Sequence, residues 1–182
     1  MNARRAVAAG LAAALAGCVV FPYGPYWKPD AAGGEYTRAW CGEQVGPYSK
    51  VRLRLDEQVR ATVTVEDRPQ RHVSVLFEVA MDPLTVGPTA QLETGGRRFE
   101  VPVKLSDWAV ERGVARVTTD GVLFAPAGKA AVGRIEVALP AEIESRFTFH
   151  FPRLAHGGRP LAAPPVRWER RVFDGGVQPF NC

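Results

Sequence analysis

Little in this chain of 182 residues is equipped for chemistry. It holds only three histidines and three cysteines. It contains no Gly-x-Ser-x-Gly, no Gly-x-Gly-x-x-Gly, no Gly-x-x-x-x-Gly-Lys-Ser/Thr and no His-Glu-x-x-His. Those absences remove the nucleophile elbow, the dinucleotide loop, the P-loop and the helical zinc-protease site. There is no Cys-x-x-Cys, and no cysteine has a histidine beside it, which argues against a redox dithiol or a zinc site. No apolar run reaches the length that crosses a bilayer as a helix. No segment keeps a long 3.6-residue period, which speaks against a helical bundle. Nor is there a repeat with a period of about 20–50 residues, as a solenoid or propeller would need.

Net charge is also small. The formal net charge is +4. Residues 1–17 carry Arg4 and Arg5 and no acid, so their removal leaves 21 basic against 19 acidic groups. A surplus that small does not point to nucleic acid.

What is present is the composition of a folded domain. Hydrophobic residues make up 46% and charged residues 23%, so the chain can bury a core. The 18 glycines and 15 prolines exceed what a bundle carries and imply many turns between short strands. Lys50–Asp56 alternates strictly, with Val51, Leu53 and Leu55 on one side and Arg52 and Arg54 on the other. Val59–Glu66 and Arg71–Val79 repeat that period-two signature of a half-buried strand. Asp56-Glu57-Gln58 reads as the turn between the first two, and Asp120-Gly121 as a second hairpin turn. Further strands are expected at Arg97–Leu105, Val114–Thr118, Gly121–Phe124, Gly133–Leu139, Arg146–Phe151 and Val166–Phe173. Pro102 marks an edge or a bulge in its strand, and Ser106–Arg112 has the makings of one helical turn capped by Asp107. About nine alternating strands predict an all-β, two-sheet antiparallel sandwich, immunoglobulin-like or jelly-roll-like, over residues 35–182.

The N-terminus has a different character. Met1 to Arg5 is short and positive. Ala6 to Ala16 is apolar, long enough for a signal-peptide core and too short to span a membrane. It ends in Leu15-Ala16-Gly17-Cys18. This resembles the lipobox of bacterial lipoproteins, and the match of charge, length, box and position is confined to residues 1–18. The resemblance implies cleavage between Gly17 and Cys18, diacylglyceryl on the Cys18 sulfur, and acylation of the new amine. Several acyl chains anchor far more firmly than one. Val19 rather than Asp follows the cysteine, which by analogy favours the periplasmic face of the outer membrane over the inner membrane. Only the arginine pair of the twin-arginine motif is present, so the general secretory route is expected. The mature part is similar to small proteobacterial envelope lipoproteins.

Residues 18–34 hold Pro22, Pro25 and Pro29 and three glycines, and are expected to form a flexible, semi-extended tether. Tyr23, Tyr26 and Trp27 either lie among lipid headgroups or pack back on the domain. With Cys18 acylated, Cys41 and Cys182 remain. In an oxidising compartment two thiols suggest a disulfide, here tying the C-terminus to the entry of the domain.

Candidate sites are few. His72 and His150 point away from the apolar sides of their strands, and His156 sits in a glycine-rich loop and is expected to be exposed. The carboxylate pairs Glu142 with Glu144 and Glu66 with Asp67 adjoin turns. None of these makes a catalytic or metal site by spacing alone, and no cofactor is implied. Arg52, Arg54 and Arg60, with Lys50, Arg68 and Arg71, share an expected outer face that suits the phosphate of an anionic lipid. The same face also reads as ordinary charged sheet surface neutralised by Glu66 and Glu78. The functional expectation is a lipid-anchored envelope protein that binds a partner without catalysis. The alternatives are an envelope hydrolase acting on glycan or lipid, and a carrier of a small apolar ligand between the sheets.

Overall fold

The computed structural model describes residues 18–21, 24–40, 43, 45–67, 70–106, 115–126, 130–174 and 176–179. Every regular element among them is a strand. In chain order these are β1 (Cys18–Phe21), β2 (Gly24–Asp30), β3 (Glu35–Trp40), β4 (Val45–Arg54), β5 (Val59–Glu66) and β6 (His72–Val79). Next come β7 (Leu84–Val86), β8 (Thr89–Thr94), β9 (Arg97–Leu105), β10 (Ala115–Thr118), β11 (Gly121–Phe124) and β12 (Ala131–Ala138). The last five are β13 (Arg146–His150), β14 (Leu154–His156), β15 (Arg159–Leu161), β16 (Val166–Phe173) and β17 (Gly176–Pro179).

All pairings are antiparallel. A ten-stranded sheet runs β2-β16-β13-β8-β9-β12-β6-β5-β4-β3, and its far end curls back until β4 packs against β2. A five-stranded sheet runs β10-β11-β7-β14-β15, and β1 pairs with β17 in a separate ribbon. The architecture is the expected all-β sandwich, with the larger sheet nearly closed on itself.

The predicted alternation sets the core. Val51, Leu53, Val59, Ala61, Val63, Val73, Val75, Phe77 and Val79 are all at most 2% exposed. Asp56 makes the first hairpin turn by accepting hydrogen bonds at Oδ1 from the N–H groups of Gln58 (2.6 Å) and Val59 (2.7 Å). The smaller sheet contributes Leu84, Val86, Val122, Phe124 and Leu154 to the same core. Its Phe124 ring lies tilted on Phe77, with centroids 5.8 Å apart. Pro102 pairs with Thr89 of β8, but the ladder between β9 and β12 covers only Val103–Leu105. Pro102 therefore has an unpaired side, where its missing N–H costs nothing.

The expected flexible tether over 18–34 is where the structure departs most. Gly24–Asp30 is strand β2, paired along its whole length with β16, and Cys18–Phe21 is strand β1. Trp27 is 2% exposed. Its ring meets Phe147 edge-on at 5.4 Å, and Phe147 stacks on Trp168 at 6.3 Å. Of the two fates open to the aromatics, Trp27 packs on the domain. The cause is apolar area, since burying an indole is worth about 2–3 kcal/mol and outweighs the proline signal. The prolines survive because β2 is an edge strand with one unpaired side. Cys41, Cys182, Arg68 and the expected helical turn from residue 107 lie outside the described residues.

Candidate functional site

Two open clefts mark the described surface. The larger encloses about 1060 Å³. Its floor is the outer side of β2, β16, β13 and the end of β8. Each floor residue is outward because its neighbours are committed inward: Trp27 and Pro29 on β2, Val166 and Trp168 on β16, and Phe147 and Phe149 on β13 are buried. The alternation thus places polar side chains in lateral rows. One row runs Lys28, Glu169, Arg146 across three strands, and the next runs Asp30, Arg167, Thr148, Glu93 across four. Neighbouring strands lie about 4.8 Å apart, so Lys28 and Arg146 flank Glu169 in the first row, and Asp30 stands beside Arg167 in the second.

Glu169 organises the first row. Arg171 Nε donates to its Oε2 (2.7 Å), and Arg146 Nη2 donates to its Oε1 (2.7 Å). These two hydrogen bonds, Arg171 first, hold the Glu169 carboxyl below the usual carboxylate range. Arg146 is also held through its backbone, whose carbonyl accepts from the Thr94 hydroxyl (2.6 Å). In the second row Arg167 is exposed, and its side chain makes no ion pair or hydrogen bond among the described residues. Lys28 is exposed and unpaired in the same sense.

Two exposed tyrosines border the cleft. Tyr36 of β3 is 39% exposed and Tyr48 of β4 is 46% exposed. The Tyr36 hydroxyl accepts from the Ala31 N–H (3.0 Å) and donates to the Ala31 carbonyl (3.1 Å). Arg38 lies over one face of the Tyr48 ring, 4.6 Å from its centroid, and donates from Nη1 to the Gly46 carbonyl (3.1 Å). Both rings are therefore positioned before any ligand arrives.

The smaller cleft encloses about 490 Å³ beside the Asp56 turn. The expectation that His156 is exposed fails here, because its side chain is only 9% exposed. Its Nδ1 lies 3.0 Å from Asp56 Oδ2 and its Nε2 lies 3.2 Å from the Asp82 carbonyl oxygen. Asp82 is reached through a three-residue turn in which Met81 takes a positive φ of 65°. Both ring nitrogens are engaged, and the cleft is lined by no Ser, Thr, Cys or Tyr. The pair acts as a clasp between the β4–β5 turn, the loop before β7 and the β14–β15 hairpin. Sequence spacing gave no sign of it, since Asp56 and His156 are 100 residues apart.

The other candidates do not converge. His72 faces Glu66 (3.8 Å) and His150 faces Glu93 (3.6 Å), on different parts of the large sheet. No group of three potential metal ligands occurs among the described residues. Glu142 and Glu144 are exposed on the loop before β13.

Of the expected arginine face, Arg54 on β4 stands directly across from Arg60 on β5. The group is partly neutralised: Glu43 lies 3.2 Å from Arg52 and 3.8 Å from Lys50, and Glu78 is the cross-strand neighbour of Arg60. Arg71 does not join that face through its guanidinium, which donates from Nη1 to the Ile143 carbonyl (2.6 Å). Lys28 and Arg146 lie far in the chain from Arg167 and Arg171, and only the pairing of β2, β16 and β13 brings them together.

No family model matches this chain, and neither a curated protein nor a solved structure matches it.

Proposed function

We propose that this is a lipid-anchored envelope protein whose β domain binds a ligand without transforming it. The observation that carries the binding reading is the cleft of about 1060 Å³, with its charged rows and its two fixed tyrosines. Such a surface is organised for recognition, because its polar groups are oriented by one another and by the backbone before contact. A hydrolase reading draws less support. Glu169, the most fully engaged carboxylate of the cleft, is held ionised by two guanidiniums and so is ill suited to donate a proton. The carrier reading needs free space between the sheets, whereas Phe77, Phe124, Leu84, Leu92 and Ile135 fill the interior at 0% exposure.

The anchor reading rests on the lipobox at Leu15–Cys18 and includes the outer-membrane periplasmic location. A Cys41–Cys182 disulfide belongs to the same reading. It is supported by the contact of Trp40, adjacent to Cys41, with Phe173 near the C-terminus, with ring centroids 5.5 Å apart. An intact mass lower by two hydrogens than the dithiol form is expected.

The test uses the chain expressed with its leader in a bacterial host. Uptake of labelled palmitate and sedimentation with membranes are expected, and Cys18→Ala should abolish both. Label retained by Cys18→Ala overturns the anchor. The mature chain, kept in detergent so that its acyl chains are occupied, should be retained on envelope fragments stripped of membrane, and Arg167→Glu should lose that retention. Equal retention of the variant overturns the binding role of the cleft.

A further inference from the structure

Resting on the reading of the cleft as a binding site, we infer that its ligand is an acidic sugar chain, a glycan bearing carboxylate or phosphate groups. Three features of the cleft converge on that chemistry.

The first is anion capture. Arg167 and Lys28 are diagonal neighbours on the β16–β2 pair, both exposed and both without a side-chain partner among the described residues. Diagonal positions on antiparallel strands lie about 7–8 Å apart, within reach of one anionic group for two long side chains. A guanidinium offers the bidentate fork that carboxylate and phosphate accept.

The second is ring stacking. The C–H faces of a pyranose are apolar and weakly positive, and they pack on the negative face of an aromatic ring. Tyr36 and Tyr48 offer such faces, and their attachments to Ala31 and Arg38 fix their attitude.

The third is the floor. Glu169 with Arg146 and Arg171 forms a mutually oriented array of donors and acceptors suited to hydroxyl groups. A protein partner would instead need apolar anchor pockets. The apolar side chains that line this cleft, Pro29, Phe147 and Trp168, are each buried, so its exposed groups are the charged rows and the two tyrosines.

The test titrates the mature chain, purified in detergent, with trigalacturonate as the carboxylate probe and trehalose 6-phosphate as the phosphate probe. Maltotriose and inorganic phosphate are the controls. Binding of at least one acidic sugar is expected, with maltotriose and inorganic phosphate each at least about tenfold weaker, one charge-assisted contact or stacked ring being missing from each. Arg167→Ala and Tyr48→Ala, both at exposed positions, should each weaken binding by about tenfold. Whether the uronate or the sugar phosphate binds distinguishes the source of the anion. Equal binding of inorganic phosphate, insensitive to Tyr48→Ala, means a bare anion site and overturns the inference. So does acidic-sugar binding unmoved by either variant. If neither acidic sugar binds while Arg167→Glu still abolishes envelope retention, the glycan class is overturned and the binding role stands. If retention is also unmoved, both fall.

Discussion

Gly133 offers a sharp test of how the two sheets meet. It occupies an inward position of β12, in phase with Ile135 and Val137, and the Phe124 ring of β11 lies directly on its backbone. A Cβ at residue 133 would overlap Phe124 Cδ1 and Cε1. The ring has nowhere to retreat, because it is fully buried and packed on Phe77. Gly133→Ala should therefore destabilise. Overpacking costs about 1–3 kcal/mol. Removing glycine from a strand returns about 0.5–1 kcal/mol. With two ring atoms overlapped the cost lies at the upper end of its range, so the net loss is about 1–2.5 kcal/mol, read in urea as a lower midpoint at unchanged slope, or as a melting point about 2–10 °C lower. The decisive measurement is a double-mutant cycle with Phe124→Ala. That change costs about 3–5 kcal/mol alone and removes both obstructing ring atoms. In its background Gly133→Ala should cost almost nothing. An equal cost in both backgrounds would refute the claim that this glycine exists to seat that ring.

Three further outcomes follow from the same packing. Trp27→Ala should cost about 3–5 kcal/mol in urea unfolding, and a chain starting at residue 35 should lose cooperative unfolding where one starting at residue 24 keeps it; equal stability of the two would restore the flexible-tether reading. Asp56→Ala should cost about 1–3 kcal/mol by leaving two turn N–H groups unpaired, whereas Asp56→Asn, which keeps the Oδ1 acceptor, should cost less; the ranking is read by denaturant midpoints. The Glu169 carboxyl should titrate below the usual glutamate range by carbon-detected NMR, and rise towards it in Arg171→Ala. Because its folded pKa is depressed, its contribution to stability is present above the unfolded pKa and fades as pH falls through the folded one.

The nine strands expected from alternation all appear, within a few residues of their bounds, because each has one face in the core and a period of two records that directly. Four of the eight remaining strands lack that record for identifiable reasons. β7, β14 and β15 have three residues each, too few to show a period. β2 carries Pro25 and Pro29, whose turn-like signal is valid only for a strand needing donors on both sides. The candidate site was less legible than the fold. Tyr36 and Tyr48 look like unremarkable strand residues, and Lys28 fell within an expected tether. His156 looked exposed because its loop is glycine-rich, yet Asp56 and Asp82 enclose it from segments far away in the chain.

The sequence by itself determined the all-β class, the inward faces of its main strands and the Asp56 and Asp120-Gly121 turns, and its lipobox-like Leu15–Cys18 stretch is the ground on which the anchored envelope location is proposed. These are local properties, written in periodicity and in short motifs. Tertiary structure alone decided that the large sheet curls until β4 meets β2, that Trp27 draws its segment into the core, and that Lys28, Arg167 and Glu169 share a floor bordered by two tyrosines. The physical reason is that strand order is set by which apolar faces bury one another. That competition runs over the whole chain, and no window of ten residues contains it.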